Sequence, residues 1–169
     1  YFGVHLAGGI CVPIDPDTNQ TRFNHIKAST SPVCVIGTLH NVDTKTIDFA
    51  EIVQGNSVEK YVEPSLADIS DILFTTGTTG APKGVALSYL NIAAAARNIN
   101  EYIGNTADDI ELLALPVSHS FGLGRMRCSL IKGATIVMLG TFANVKKFFG
   151  EMKRCNVTMF AMVPASWGF

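Results

Sequence analysis

Residues 73–84 run Leu73-Phe74-Thr75-Thr76-Gly77-Thr78-Thr79-Gly80-Ala81-Pro82-Lys83-Gly84. Their types suit one task, the holding of phosphate, whose oxygens need many donors at short range. Glycines let the backbone approach closely and accept positive φ, so successive N–H groups can point inward. The hydroxyls of Thr75, Thr76, Thr78 and Thr79 can donate to phosphate or ligate Mg²⁺. Pro82 stiffens the exit, and Lys83 adds a compact positive charge. Spacing disfavours two familiar alternatives. A Walker loop ends in Gly-Lys-Ser/Thr and opens a helix, whereas Lys83 is followed by Gly84 and the strand-like Val85-Ala86-Leu87. No Gly-x-Gly-x-x-Gly opens a helix, so the dinucleotide fingerprint is absent. A plain hairpin turn takes roughly two to five residues, and this stretch is longer and richer in hydroxyls.

The four histidines are His5, His25, His40 and His119. Neither a His-x-x-x-His nor a Cys-x-x-Cys spacing occurs, so the sequence predicts no zinc centre. Cys11, Cys34, Cys128 and Cys155 read as reduced, mostly buried thiols of a cytoplasmic protein. The formal net charge is −1 over 169 residues. The basic residues are scattered apart from Lys146-Lys147 and Lys153-Arg154, and without a basic stripe a nucleic-acid partner is disfavoured. No apolar run approaches the ~18 residues of a membrane span.

These residues need elements to position them. Residues 10–15 read as a short strand ended by Pro16, with Asp15 closing it in a structural role. Residues 19–29 read as a helix with Phe23 and Ile26 on one face. Residues 33–37 read as a continuous apolar strand of the buried type. Residues 38–69 mix turn formers with short apolar stretches (47–49, 52–53 and 61–62) and read as loop with short strands. Residues 71–75 form a strand entering the Gly/Thr-rich stretch, and residues 84–88 a strand leaving it. Ser88 is a good N-cap for a helix over residues 89–103 that closes at Gly104. Strands over 110–115, 134–139 and 157–163 then alternate with helices over 121–131 and 144–154. In the last helix Val145, Phe148, Phe149 and Met152 recur at helical spacing. The expected fold class is α/β, a parallel sheet with flanking helices. Residues 1–87 form a leading part with the phosphate loop, and residues 88–169 form the strand–helix repeats. Residues 1–7 look like the tail of a helix that stops at Gly8-Gly9, and residues 163–169 look like the start of an element. Both ends suggest an excerpt of a longer polypeptide, whose remainder is an expected partner.

Residues 74–84 resemble the signature loop of the adenylate-forming enzymes, which include acyl- and aryl-CoA synthetases, adenylation domains of peptide synthetases, and luciferases. That loop reads Tyr/Phe-Thr-Ser-Gly-Thr-Thr-Gly-x-Pro-Lys-Gly, and the one departure here, Thr76 for serine, keeps the hydroxyl. Upstream, Leu6-Ala-Gly-Gly-Ile-Cys-Val-Pro-Ile-Asp-Pro is similar to the family's Lys-Ala-Gly-Gly-Ala-Tyr-Val-Pro-Leu-Asp-Pro, with Leu6 in place of lysine. Downstream, residues 115–123 are similar to its Pro-x-x-His-x-x-Gly-Leu segment. The resemblance implies a partial N-terminal domain of such an enzyme. It also implies ATP and Mg²⁺ as cofactors, a fatty or aryl carboxylic acid as substrate, and CoA or a carrier-protein thiol as acyl acceptor.

In that family Thr75, Thr76, Gly77, Thr78, Thr79 and Gly80 would hold the β- and γ-phosphates. Lys83 would offset charge on the departing pyrophosphate, Thr75 or Thr78 would help hold Mg²⁺, and His119 would sit near the acyl carboxylate. A histidine at that position is usual in CoA ligases, whereas amino-acid-activating domains usually carry a Phe-Asp-type segment. The family's adenine-binding segment, magnesium glutamate, ribose-binding aspartate and catalytic lysine have no counterpart here. The expectation is therefore that these residues alone do not catalyse adenylation and that they leave apolar surface exposed. Two other readings stay open, an amino-acid-activating domain and a non-catalytic binding remnant.

Overall fold

The computed structural model describes residues 1–37, 44–55, 61–75 and 81–164. In chain order its elements are α1 (Phe2–Leu6), α2 (Gln20–Thr30), β1 (Val35–Ile36), β2 (Thr46–Ile47), α3 (Phe49–Gln54), β3 (Ile69–Thr75), β4 (Lys83–Ser88) and α4 (Tyr89–Ile103), followed by β5 (Ile110–Leu113), α5 (Ser120–Lys132), β6 (Thr135–Met138), α6 (Val145–Arg154) and β7 (Met159–Phe160). The helix boundaries follow from local chemistry. The Asn19 side chain caps α2 at the Arg22 N–H, and Asn144 caps α6 at the Lys147 N–H. Ser88 and Asn91 exchange side-chain-to-backbone bonds at the start of α4, and Gly104 ends it at φ 78°, a conformation that favours glycine.

Side chains alternate across a strand, and β5 uses this to build two layers. Leu112 and the following Ala114 join Phe148 of α6 in a buried apolar cluster. Glu111 points to the other face, where it meets Arg125 and Ser129 of α5. Helices α5 and α6 thus cover opposite faces of a parallel sheet ordered β6-β5-β7. β1 and β2 also pair in parallel, whereas β3 and β4 form an antiparallel hairpin. The α/β class and flanking helices of the sequence reading are therefore present, with an antiparallel pair beside the parallel sheet.

Several strands are shorter than the apolar runs suggest. In residues 10–15 only Cys11 pairs, its N–H donating to the Ser70 carbonyl and its carbonyl accepting from Ile72. Pro13 and Pro16 lack the N–H that a longer ladder needs. The 33–37 stretch reduces to β1, whose partner β2 is equally short, and Val33 is 91 % exposed, so this is no buried strand. Residues 52–53, read as a strand, lie in α3, which a reciprocal Asp48–Glu51 capping box starts; that box was legible in the sequence and outweighs two apolar residues. Residues 61–62 form no strand, although the Val62 N–H bonds the Leu6 carbonyl. Residues 157–163 keep only β7. On α6 Phe148 is buried, while Phe149 touches it edge-on and stays largely exposed. Tyr102 and Val53 are also exposed. Residues 38–43 and 56–60, within the stretch read as loop, lie outside the described residues.

Two buried carboxylates hold the layers together. Glu111 receives Arg125 Nε at 2.7 Å and Nη2 at 3.0 Å, and also the Ser129 hydroxyl. Asp71, wholly buried, accepts from Arg127 Nη2 at 2.8 Å, the Ser70 hydroxyl at 2.8 Å and the Tyr1 hydroxyl at 3.0 Å. The Tyr1 hydroxyl in turn accepts from Arg127. His5 Nε2 lies 3.6 Å from Asp71 Oδ1 and 3.2 Å from the Ser70 carbonyl. A carbonyl only accepts, so the His5 proton sits on Nε2. This network joins α1, β3 and α5.

Removing one partner of such a pair strands a buried charge. Arg125→Met is expected to lower unfolding free energy by about 3–5 kcal/mol in urea titrations. Glu111→Leu combined with Arg125→Met should recover most of that loss, and a double variant as unstable as the single one would contradict the pairing. Burial pushes the His5 pKa below its ordinary 6.5. The folded chain therefore favours the neutral ring. The stability this contributes is complete above pH 6.5 and is lost as pH falls through the lower folded-state value. Thermal unfolding midpoints should drop over that range, and His5→Gln should make the drop shallower.

Candidate functional site

The β3–β4 ladder pairs Phe74 with Gly84 and Thr75 with Lys83. The stretch read as a phosphate loop is thus the connection of an antiparallel hairpin, and its two outermost paired residues are both site candidates. Gly84 has a steric reason to lack a side chain, since a Cβ there would come within 3.1 Å of the Phe74 ring. The Thr75 hydroxyl is exposed and lies 3.5 Å from the Lys83 carbonyl. Lys83 is exposed, and among the described residues its ammonium enters no ion pair. Thr76, Gly77, Thr78, Thr79 and Gly80 lie outside the described residues.

Helix α2 packs its polar side against both arms of the hairpin. Arg22 Nη2 donates to the Phe74 carbonyl at 3.2 Å, and His25 Nε2 donates to the Pro82 carbonyl at 2.9 Å. Residues three apart in a helix share a face, and here that face adjoins the buried Phe23 and Ile26. Sequence reasoning assigned neither Arg22 nor His25 a task. The available signal was their spacing on the polar side of an otherwise half-buried helix.

His119 occupies the N-cap position of α5, with its side chain exposed and making no capping bond. Its N–H donates to the Pro116 carbonyl at 3.2 Å, and its carbonyl accepts from Leu123 at 2.9 Å. The turn is tight because Gly122 lies against it. A Cβ at Gly122 would sit 2.3 Å from the Pro116 oxygen. Asp15, expected only to close a strand, does more. One carboxylate oxygen accepts from the Asp17 N–H at 2.9 Å, and the other accepts from the Ser118 hydroxyl at 3.1 Å, next to His119. A groove of about 960 Å³ opens between α4, the start of α5 and β7. It is walled by Tyr102, Ile103, Phe121 and Phe160, with Arg125 Nη1 beneath it lacking a hydrogen-bond partner.

The donor set fits a phosphate ligand, with an exposed ammonium and an exposed hydroxyl at the two ends of a glycine-rich connection. No group of three His, Cys, Asp or Glu that could cage a metal occurs among the described residues. A threonine hydroxyl is the kind of single protein ligand that suits Mg²⁺ already carrying phosphate and water oxygens. No helix among the described residues is long and apolar enough to cross a membrane.

A family model described as AMP-binding enzyme matches residues 1–168, and the chain belongs to that family of adenylate-forming ligases. It is 35 % identical over 101 residues to a probable CoA ligase of Humulus lupulus, covering 58 % of this chain and 19 % of that protein. It is 29 % identical over 179 residues to nonribosomal peptide synthetase 5 of Gibberella zeae, covering 97 % of this chain and 2 % of that protein. Among solved structures it is similar to the o-succinylbenzoate CoA synthetase of Bacillus subtilis in complex with AMP. There the TM-score is 0.85 at 25 % identity, over 96 % of this chain and 44 % of that one. The chain thus spans only a small part of the curated relatives it matches.

Gly122→Ala must displace the turn that carries His119. An overpacked site of this kind costs about 1–3 kcal/mol, which urea unfolding should register, whereas Gly124→Ala, where nothing lies within 4 Å of the added carbon, should cost less than half as much.

Proposed function

We propose that this chain is the phosphate-holding part of an ATP-dependent ligase that joins a carboxylic acid to the thiol of CoA. A carboxylate oxygen attacks the α-phosphorus of ATP, the α–β anhydride bond breaks, and pyrophosphate leaves. The thiol then attacks the acyl carbon, loses its proton, and AMP departs. A carboxylate is already nucleophilic, so the first half needs no general base. The protein's share is positioning and charge neutralisation.

The observation that carries this reading is the ladder pairing of Thr75 with Lys83, which sets an exposed lysine across from an exposed threonine at the root of the Gly/Thr-rich connection. Thr75, Thr76, Gly77, Thr78, Thr79 and Gly80 hold the β- and γ-phosphates, and Lys83 offsets the charge that builds on leaving pyrophosphate. Mg²⁺ on Thr75 or Thr78 would add positive charge beside the same oxygens. His119, exposed at the start of α5, faces the acid's carboxylate, and the neighbouring groove takes its apolar part. The four free thiols agree with a cytoplasmic setting. Residues 1–87 and 88–169 act as two parts of one domain. Ligation also needs groups from the rest of the polypeptide, and the 169 residues alone do not catalyse it.

Amino-acid activation for a carrier-protein thiol is the second reading, favoured by the match to a peptide synthetase along 97 % of the chain. His119 weighs towards CoA. The discriminating experiment uses the longest polypeptide the reading frame encodes. ATP–pyrophosphate exchange is measured against a panel of fatty, aryl and amino acids, followed by acyl transfer to CoA. Lys83→Ala should lower exchange by about 10²–10³-fold, the loss typical of one charge-stabilising donor, and Thr78→Ala should lower it less. Unchanged exchange in both variants would refute the role of the hairpin, and exchange with amino acids alone would select the second reading. Residues 1–169 by themselves should show no exchange.

A further inference from the structure

The stretch from residue 15 to residue 25 touches both halves of the candidate site, and none of these contacts belongs to the phosphate or acid chemistry proposed above. Asp15 reaches Ser118, 103 residues away, directly before His119. Within the first two turns of α2, Arg22 reaches Phe74 and His25 reaches Pro82, 52 and 57 residues away. Phe74 and Pro82 flank the hairpin connection on its two arms. Each contact ends on a group that a backbone movement would carry with it, namely two main-chain carbonyls and the hydroxyl of a turn residue.

We infer that residues 15–25 form a brace that sets the phosphate hairpin and the His119 turn in fixed relation, with Asp15, Arg22 and His25 as positioning residues. The geometry explains the residue types. Arg22 must be long and carry several donors to cross to the Phe74 carbonyl. His25 must present a proton on Nε2, because the Pro82 carbonyl can only accept. Asp15 must be a carboxylate with two free oxygens, since one is used by the Asp17 N–H that shapes its own turn and the other by Ser118. Asn19 holds the two ends of the brace together, because its side chain caps the helix at the Arg22 N–H. The backbone ladder that joins the hairpin arms ends at Thr75 and Lys83, and the side-chain bonds between the arms, Ser70 to the Leu87 carbonyl and Thr75 to the Lys83 carbonyl, arise within the same two strands. The brace therefore supplies the contacts from outside the ladder next to the connection.

The consequence separates two substrates. Loosening the hairpin end of the brace should weaken the hold on MgATP, and loosening the Asp15 end should disturb the acid. This division rests on the ligase reading, but the brace itself is testable without it. Hydrogen exchange read by mass spectrometry on the full-length protein should show peptides covering residues 73–88 exchanging about two- to tenfold faster in Arg22→Ala and His25→Ala, the range expected for losing one hydrogen bond. Peptides covering residues 115–123 should behave likewise in Asp15→Ala. His25→Gln, which keeps a side-chain donor, should restore most of the protection. In pyrophosphate exchange, Arg22→Ala and His25→Ala should raise KM for MgATP about two- to tenfold with KM for the acid unchanged, and Asp15→Asn should do the reverse. Exchange protection unchanged in all three alanine variants would overturn the brace. So would a uniform loss of protection across β5–β7, which would mark general destabilisation. Altered protection without any split in the two KM values would leave the brace standing and refute its division between substrates. If Lys83→Ala leaves catalysis intact, the ligase role of the hairpin fails while the exchange result still decides the brace.

Discussion

A carboxylate without exposed surface cannot stay charged at reasonable cost unless a cation and hydrogen-bond donors meet it. Asp71 is such a carboxylate, and the arrangement of the rest follows from where its partners come from. It stands on β3, four residues before Thr75, and its cation is Arg127 of α5, the helix whose first turn carries His119. Ser70 and Tyr1 donate to the same oxygen, Oδ2, while Oδ1 has no hydrogen-bond partner among the described residues. One ion pair therefore links the strand that feeds the hairpin to the helix that follows the second motif. The pair need not be a large net source of stability, because its attraction is spent mostly against desolvation. What it secures is uniqueness, since any register of β3 that moved Asp71 away from Arg127 would bury an unmatched charge.

Glu111 and Arg125 do the same within the parallel sheet. The alternation of β5 sends Leu112 and Ala114 into an apolar layer with Phe148 and sends Glu111 into a polar seam with α5. The two faces of one strand thus obey different rules. The apolar face tolerates exchange of similar volumes. The charged face tolerates only paired change. This is why the helix layers on either side of the sheet are not interchangeable even though both are built from short helices of ordinary composition.

Much of this was legible in residue order. The Ser88 cap, the alanine run and Gly104 delimit α4 to the residue, and the strand–helix alternation after residue 104 gives the parallel sheet. The Gly/Thr-rich stretch between two strands, with residues 115–123, marks the family, whereas its length speaks against the antiparallel hairpin that the two strands form. What stayed hidden is what depends on distant partners. The 10–15 and 33–37 runs look like strands, but a strand needs a neighbour with free N–H and carbonyl groups, and prolines or a two-residue partner deny it. Residues 52–53 look extended until Asp48 and Glu51 are weighed as a capping box. Asp15, Arg22 and His25 carry no local signal of the residues they reach, because separations of 52 to 103 positions leave no periodic trace.

Gly122 shows how a missing atom can specify an architecture. The absent Cβ is the space through which the α5 backbone approaches the Pro116 carbonyl, so the angle at which the helix departs from the sheet is encoded in one hydrogen. Any chain that shares these layers but bears a side chain at the corresponding point must launch its helix along another line and present a different residue where His119 stands. The position thus works as a diagnostic of geometry, by which variants that keep this entry to the site can be sorted from those that have abandoned it.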